Sequence, residues 1–200
     1  LILQLTIILG VVLSFVFKTE IGAPLKTIAG TTNTDSVYVT DENGNVQRAG
    51  LLGNEFREIS KDNMTITGTA KEDAFITIVD GVETVTIENL NQNGHEVSLN
   101  FETESPCKII FKGENEVYDI YSYYDDITVE GENQDAVLNL TNSIYSCGPE
   151  LYITAGTIRT PQIYSDGTIT ITGDCRIYLE SMADEDLDCI YARLEAYDLL

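Results

Sequence analysis

From residue 63 onward, short runs of alternating Ile, Val, Thr and charged residues end in Gly or Asn. They are residues 64–68 (MTITG), 85–89 (VTIEN), 109–113 (IIFKG), 127–131 (ITVEG), 152–156 (YITAG) and 169–173 (ITITG). A period of two places every second side chain on one face, which is the signature of a half-buried strand. A second apolar run follows, as in residues 97–101 (VSLNF), 137–140 (VLNL) and 176–179 (RIYL). A third element precedes the next strand: Ile120-Tyr121-Ser122, Ile144-Tyr145-Ser146, Ile163-Tyr164-Ser165 and Ile190-Tyr191-Ala192. The distance from this Tyr to the next turn Gly is 10, 11 and 9 residues for Tyr121, Tyr145 and Tyr164, although the full period is irregular.

Three short strands cannot bury an apolar face alone, so successive copies must stack, each strand pairing with its equivalents above and below. The pattern therefore predicts an all-β chain, a right-handed single-stranded parallel β-helix. Ile127, Val129, Ile169 and Ile171 are expected in interior columns, with Gly or Asn at the corners. A β-sandwich is the competing all-β architecture, but it leaves the Ile-Tyr-Ser spacing unexplained.

Upstream, residues 36–40 (SVYVT) and 46–48 (VQR) flank an Asn-Gly pair, which predicts a β-hairpin. Asp41, Asn43 and Asn45 mimic the start of a calcium loop, but its twelfth position is Leu52, so a calcium site is rejected there. Residues 50–62 read as a connector or short helical cap. Residues 1–17 (LILQLTIILGVVLSFVF) are almost wholly apolar and sit at the lower length limit of a membrane span. They read as an export signal or membrane anchor, with a buried strand or an artificial extension as alternatives; the leading Leu implies that the native start is missing or removed. The expected organisation is an apolar segment over 1–20, a linker carrying the hairpin over 21–62, and the β-helix over 63–200. The repeat still runs at residues 194–200, as in a sequence cut short or an end that a partner covers.

Charge narrows the function. There are 33 acidic residues against 11 basic ones, a net charge of −22. That field repels phosphate backbones, which argues against nucleic acid, opposes anionic lipid and attracts divalent cations. With four cysteines, no CxxC pair and one histidine, a zinc site of the usual kind is close to excluded. Cys107 and Cys175 alternate with apolar neighbours and read as buried free thiols, a disulfide between turns being the alternative.

Candidate chemistry is sparse. His95 lies in a polar corner and reads as surface decoration, and a lone histidine supports no catalytic triad. Arg159, Arg176 and Arg193 recur at spacings of 17, which allows them to lie near each other on successive turns, either as ligand or lyase residues or as charges offsetting the acidic field. Asp184, Asp186 and Asp188 follow a D-x-D-x-D spacing with Glu195 at the twelfth position, but Cys189 stands where a calcium loop has Gly. This corner is a candidate calcium site, with Asp166 or Glu195 on adjoining turns, or a solvated acidic loop. If each Ile of the Ile-Tyr-Ser element points inward, Tyr121, Tyr145, Tyr164 and Tyr191 form an outer ladder, with Tyr123 and Tyr124 beside it. The ladder is either a platform for sugar rings or a stabiliser of the stack.

Residues 163–173 (IYSDGTITITG), 181–186 (SMADED) and 190–192 (IYA) resemble phrases repeated in a family of bacterial surface proteins with a carbohydrate-binding β-helix, related in fold to pectate lyases. The resemblance covers about residues 75–200. Asp174 stands where that family often has a second Gly, and Leu187-Asp188-Cys189 interrupts the acidic phrase. The resemblance implies non-catalytic binding of acidic plant polysaccharide with calcium. The expected ligand contacts are Tyr121, Tyr145, Tyr164, Tyr191, Arg159 and Arg176, the expected metal ligands Asp184, Asp186 and Asp188, and the expected location is extracellular or at the cell surface. A polysaccharide lyase using one of the arginines as base is the enzymatic alternative. Separately, residues 31–46 are similar to stem segments of phage tail fibres and large adhesins, which implies a virion fibre, usually a homotrimer.

Overall fold

The computed structural model describes residues 37–43, 45–48 and 57–179. The segment 1–17, Tyr191, Arg193 and the acidic corner with Asp184, Asp186 and Asp188 lie outside the described residues. The chain is the expected parallel β-helix, with about six turns and no helix among the described residues. Its strands are β1 Val37–Thr40, β2 Val46–Arg48, β3 Arg57–Ile59, β4 Met64–Thr69, β5 Ala74–Val79, β6 Thr84–Asn91, β7 Val97–Glu102, β8 Cys107–Lys112 and β9 Glu114–Val117. They continue as β10 Asp119–Ser122, β11 Ile127–Gly131, β12 Val137–Leu140, β13 Ser143–Ser146, β14 Glu150–Thr160, β15 Gln162–Ser165, β16 Thr168–Ile171 and β17 Cys175–Leu179.

These strands form three faces. The first stacks β4, β6, β8, β11, β14 and β16 in parallel. The second stacks β9, β12, the later half of β14 and β17. The third stacks β3, β5, β7, β10, β13 and β15. Residues 97–101, grouped by sequence with 137–140, belong to the third face instead. In that turn the long β6 already runs through the first corner, pairing Leu90 and Asn91 with Gly68 and Thr69. The first parallel strand among the described residues is β3, so residues 57–59 of the expected connector are a rung of the stack rather than a helical cap.

The core follows from register. Met64, Val85, Ile109, Val129 and Ile153 form one buried column on the first face; Ile76, Leu99, Ile120, Ile144 and Ile163 form another on the third. Ile127, Val129 and Ile169 are buried as expected. Ile171 is not: it stacks on Ile153 but is 46% exposed.

The residues that end the first-face strands do the work assigned to them. Gly68, Asn89, Gly113, Gly156 and Gly173 all have positive φ, which glycine and, among L residues, asparagine tolerate best. Gly131 has no such φ, but a Cβ there would come within 2.8 Å of the Gly156 backbone. Asn115, buried inside the corner, accepts a hydrogen bond from Leu90 N at 3.0 Å and donates to Lys112 O and Val137 O. It thereby bonds backbone groups of three turns where the chain bends from one face to the next, as a buried amide must to offset its desolvation.

The hairpin forms where expected. β1 pairs antiparallel with both β2 and β4, so it covers the edge of the first rung and buries Val37 and Val39. Covering an edge strand removes a site for unwanted pairing. The Asp41 carboxylate accepts from Asn43 N, Asn45 N and Asn45 Nδ2 at 2.8–2.9 Å, and these bonds hold it below its usual pKa. It serves the turn. The described part of the fibre-like segment is thus spent on covering this chain's own first strand.

Candidate functional site

The Ile-Tyr-Ser element resolves into three roles. Ile120, Ile144 and Ile163 point inward. Ser122, Ser146 and Ser165 also point inward, in register with Phe101 and Ile78 of earlier turns. Ser122 Oγ donates to Asp125 O at 3.1 Å and Ser165 Oγ accepts from Gly167 N at 3.2 Å, so these hydroxyls tie down the backbone of the next corner. Between them, Tyr121, Tyr145 and Tyr164 stack on the outer face with ring centroids 4.7 and 4.6 Å apart and interplanar angles of 5° and 18°.

That stacking changes what the ladder offers. Tyr145 has both ring faces covered by neighbours, and Tyr121 is further covered by Tyr123 at 4.3 Å. Between these three rings the flat faces that would lie against a sugar are turned on each other, while no ring among the described residues covers the far face of Tyr164. The hydroxyls are engaged as well. Tyr121 Oη lies 3.4 Å from Cys147 Sγ, and Tyr164 Oη donates to Asp166 Oδ1 at 2.8 Å. The phenol pKa of Tyr121 is raised by the bond to Cys147 and then by burial, and that of Tyr164 by the bond to Asp166. Tyr124, 62% exposed at the neighbouring corner, has more open surface than Tyr123 or Tyr178.

The second face carries the more open chemistry. Its outward column runs Glu116, Asn139, Arg159, Tyr178 in register on four successive rungs. A groove of about 300 Å³ lies along it, lined by Gln92, Glu116, Asn139, Leu140, Thr141, Arg159 and Thr160. Gln92 Nε2 donates to Thr141 Oγ1, joining the groove's two sides across 49 residues of sequence. Its Oε1 is shielded from solvent and without a hydrogen-bond partner.

Arg159 is the positive charge in this groove. Its Nη1 donates to Asn139 Oδ1 at 3.4 Å and its guanidinium carbon sits 5.4 Å from the Tyr178 ring centroid. Stacking on one side and an amide on the other hold the fork in place without a carboxylate. By contrast, on the first face Lys108 and Lys112 pair with Glu130 and Glu132 at 2.8 and 3.0 Å. Among the described residues neither Arg159 nor Arg176 has an acidic partner, in a chain of net charge −22. The spacing of 17 does place them on adjoining rungs and on the same face, offset by two residues, since Arg176 pairs with Thr157 and Tyr178 with Arg159.

The remaining candidates lie apart. His95 Nδ1 is 3.7 Å from Asp73 Oδ1 at another corner. Cys107, Cys147 and Cys175 are free thiols, and burial pushes the Cys107 pKa up to about 12, so it stays protonated and inert. No group of three or more His, Cys, Asp or Glu side chains among the described residues is placed to hold a metal ion. Glu116, Asn139, Gln92 and Thr141 were not singled out by sequence. Their only signal is position: each is an outward residue beside the corner that leads to the third face. No family model matches the chain, and neither a curated protein nor a solved structure does.

Proposed function

We propose that the chain is a non-catalytic carbohydrate-binding β-helix module of a surface or secreted protein, and that its ligand is an acidic polysaccharide lying along the second face. The observation that carries this reading is the groove itself, with hydrogen-bonding side chains on successive rungs around a guanidinium that forms no ion pair among the described residues. Linear glycans present repeated hydroxyls and carboxylates, and a ladder of amide, hydroxyl and guanidinium groups matches that repetition. Arg159 supplies the charge-assisted bond that an acidic ligand needs on an acidic protein. The non-catalytic part rests on the groove's chemistry. The carboxyls whose pKa burial raises, Glu96 and Asp126, do not line it, and neither does His95.

Calcium belongs to the same reading, with Asp184, Asp186 and Asp188 as its ligands; a divalent ion would relieve charge repulsion there and bridge the two acidic partners. The test is retention of oligogalacturonides and related acidic glycans on an array, with calcium, with magnesium and with chelator, followed by sizing of the recovered glycan. Retained glycan of unchanged length is expected, with more retained in calcium than in magnesium. Unsaturated sugar ends absorbing in the ultraviolet would replace this reading with a lyase.

A further inference from the structure

The groove on the second face leaves the outer column of the third face without a role, and that column carries phenols on successive rungs. Tyr124 is 62% exposed at the corner, and its ring lies 6.0 Å from that of Tyr123. Tyr123 lies 4.3 Å from Tyr121, and Tyr121, Tyr145 and Tyr164 stack at 4.7 and 4.6 Å. A continuous series of rings thus leads from an open corner along the axis, each in aromatic contact with the next. A row of polar groups runs beside the rings. Tyr121 Oη meets Cys147 Sγ at 3.4 Å, the Tyr145 hydroxyl interacts with both Cys147 and Tyr164, and Tyr164 Oη donates to Asp166 Oδ1 at 2.8 Å. Among these groups only Asp166 is a carboxylate, and it stands at the end of the row. Ionised phenols are disfavoured along it: the bond to Cys147 raises the pKa of Tyr121, burial that of Tyr145, and the bond to Asp166 that of Tyr164. A phenol held in this way gives up an electron only together with its proton, and the proton needs an acceptor. The charge-assisted bond at Tyr164 provides one. The acidic field of the chain, −22 in net charge, further eases removal of an electron.

We propose that the ladder is a one-electron relay, a site that draws oxidising equivalents away from the exposed corner at Tyr124 and holds them on Tyr164. Its substrate is a one-electron oxidant of the ferryl-haem or organic-radical class. The oxidant takes an electron at Tyr124, and each ring regains its electron from the next along the stack, so the vacancy comes to rest where a proton acceptor is waiting. In the net step the oxidant gains one electron, the Tyr164 O–H bond breaks and an O–H bond forms on Asp166. Tyr164 is left as a neutral phenoxyl radical, and no bond between heavy atoms changes. The relay does not depend on the glycan reading, because none of its residues lines the groove.

The experiment is photo-oxidation of the intact chain by a flash-generated ruthenium(III) polypyridyl complex, at sub-stoichiometric oxidant, with a nitroso radical trap and peptide mapping of the trapped residues. Wild type, Tyr145→Phe and Asp166→Asn are compared, with melting curves to confirm that each is folded. Phenylalanine keeps the stacked ring but is too hard to oxidise. Asparagine accepts the hydrogen bond of Tyr164 but not its proton. In the wild type, more trapped radical is expected at Tyr164 than at Tyr178, although Tyr178 is the more exposed of the two and stands off the ladder. Each substitution is expected to lose most of the Tyr164 adduct and to leave the Tyr178 adduct unchanged. Tyr145→Phe is also expected to strand the radical on Tyr123 and Tyr124. Wild-type adducts that follow exposure alone, or a Tyr164 adduct undiminished by either substitution, overturn the relay.

Discussion

Replacing Ile153 with Asp should abolish cooperative folding or cost more than about 4 kcal/mol, whereas the same change at Ile171, one rung further, should cost far less. Both residues belong to one column, and their sequence settings, YITAG and ITITG, are nearly alike. Ile153 is fully buried and stacked between Val129 and Ile171, whereas Ile171 is 46% exposed. An unpaired carboxylate buried at Ile153 has no partner and no water, a burden among the largest that a point mutation imposes. At Ile171 the carboxylate reaches solvent. Ile153→Val, which only removes a methylene, should cost about 0.5–1.5 kcal/mol. Urea unfolding followed by circular dichroism gives the comparison. Equal losses at the two positions would contradict the difference in burial between them.

The second large effect concerns a glycine without unusual backbone torsion. Gly148 follows Ser146 at the corner between the third and first faces, and a Cβ on it would fall well inside contact distance of the Asp125 carbonyl oxygen in the turn before. The opposing atom is backbone, held by the corner to which Ser122 Oγ donates. Neither side can yield without disturbing the rung spacing, so Gly148→Ala should cost about 2–3 kcal/mol, the range of overpacked interiors. Gly81 makes the control: its φ is +87° and a Cβ there would meet nothing within 4 Å. Gly81→Ala carries only backbone strain, about 1 kcal/mol. Thermal melting of the two variants separates the causes. A Gly148→Ala loss no greater than that of Gly81→Ala would remove turn-to-turn contact as the reason for this glycine.

Much of this fold was legible because each turn repeats a physical requirement in sequence. Alternating Ile and Val mark inward positions, Gly or Asn marks the bend, and Ile-Tyr-Ser marks core, ladder and corner. What was not legible depended on register across corners of unequal length. Residues 97–101 look like 137–140 yet belong to a different face, because the bend had already been absorbed within β6. Nothing in the sequence marks Asn115 as buried, but it sits inside, where its amide bonds backbone groups of three turns. The same uncertainty hid the site. Glu116, Asn139 and Arg159 come together only when β9, β12 and β14 are aligned, and the intervals between them, 23 and 20 residues, differ. The tyrosines were found at once, but sequence could not say that their faces would close on one another. Whether stacked rings present faces or edges depends on side-chain rotation, which a period does not encode.

The central claim is that an acidic glycan lies along the second face, and amide hydrogen exchange of the intact chain with and without oligogalacturonide tests it most directly. The expected result is slower exchange confined to β9, β12, the later half of β14 and the corner at Gln92, reduced by Arg159→Gln, with the tyrosine-bearing strands β10, β13 and β15 unchanged. Protection centred on those tyrosine strands instead, or no change anywhere at saturating glycan, would contradict the account.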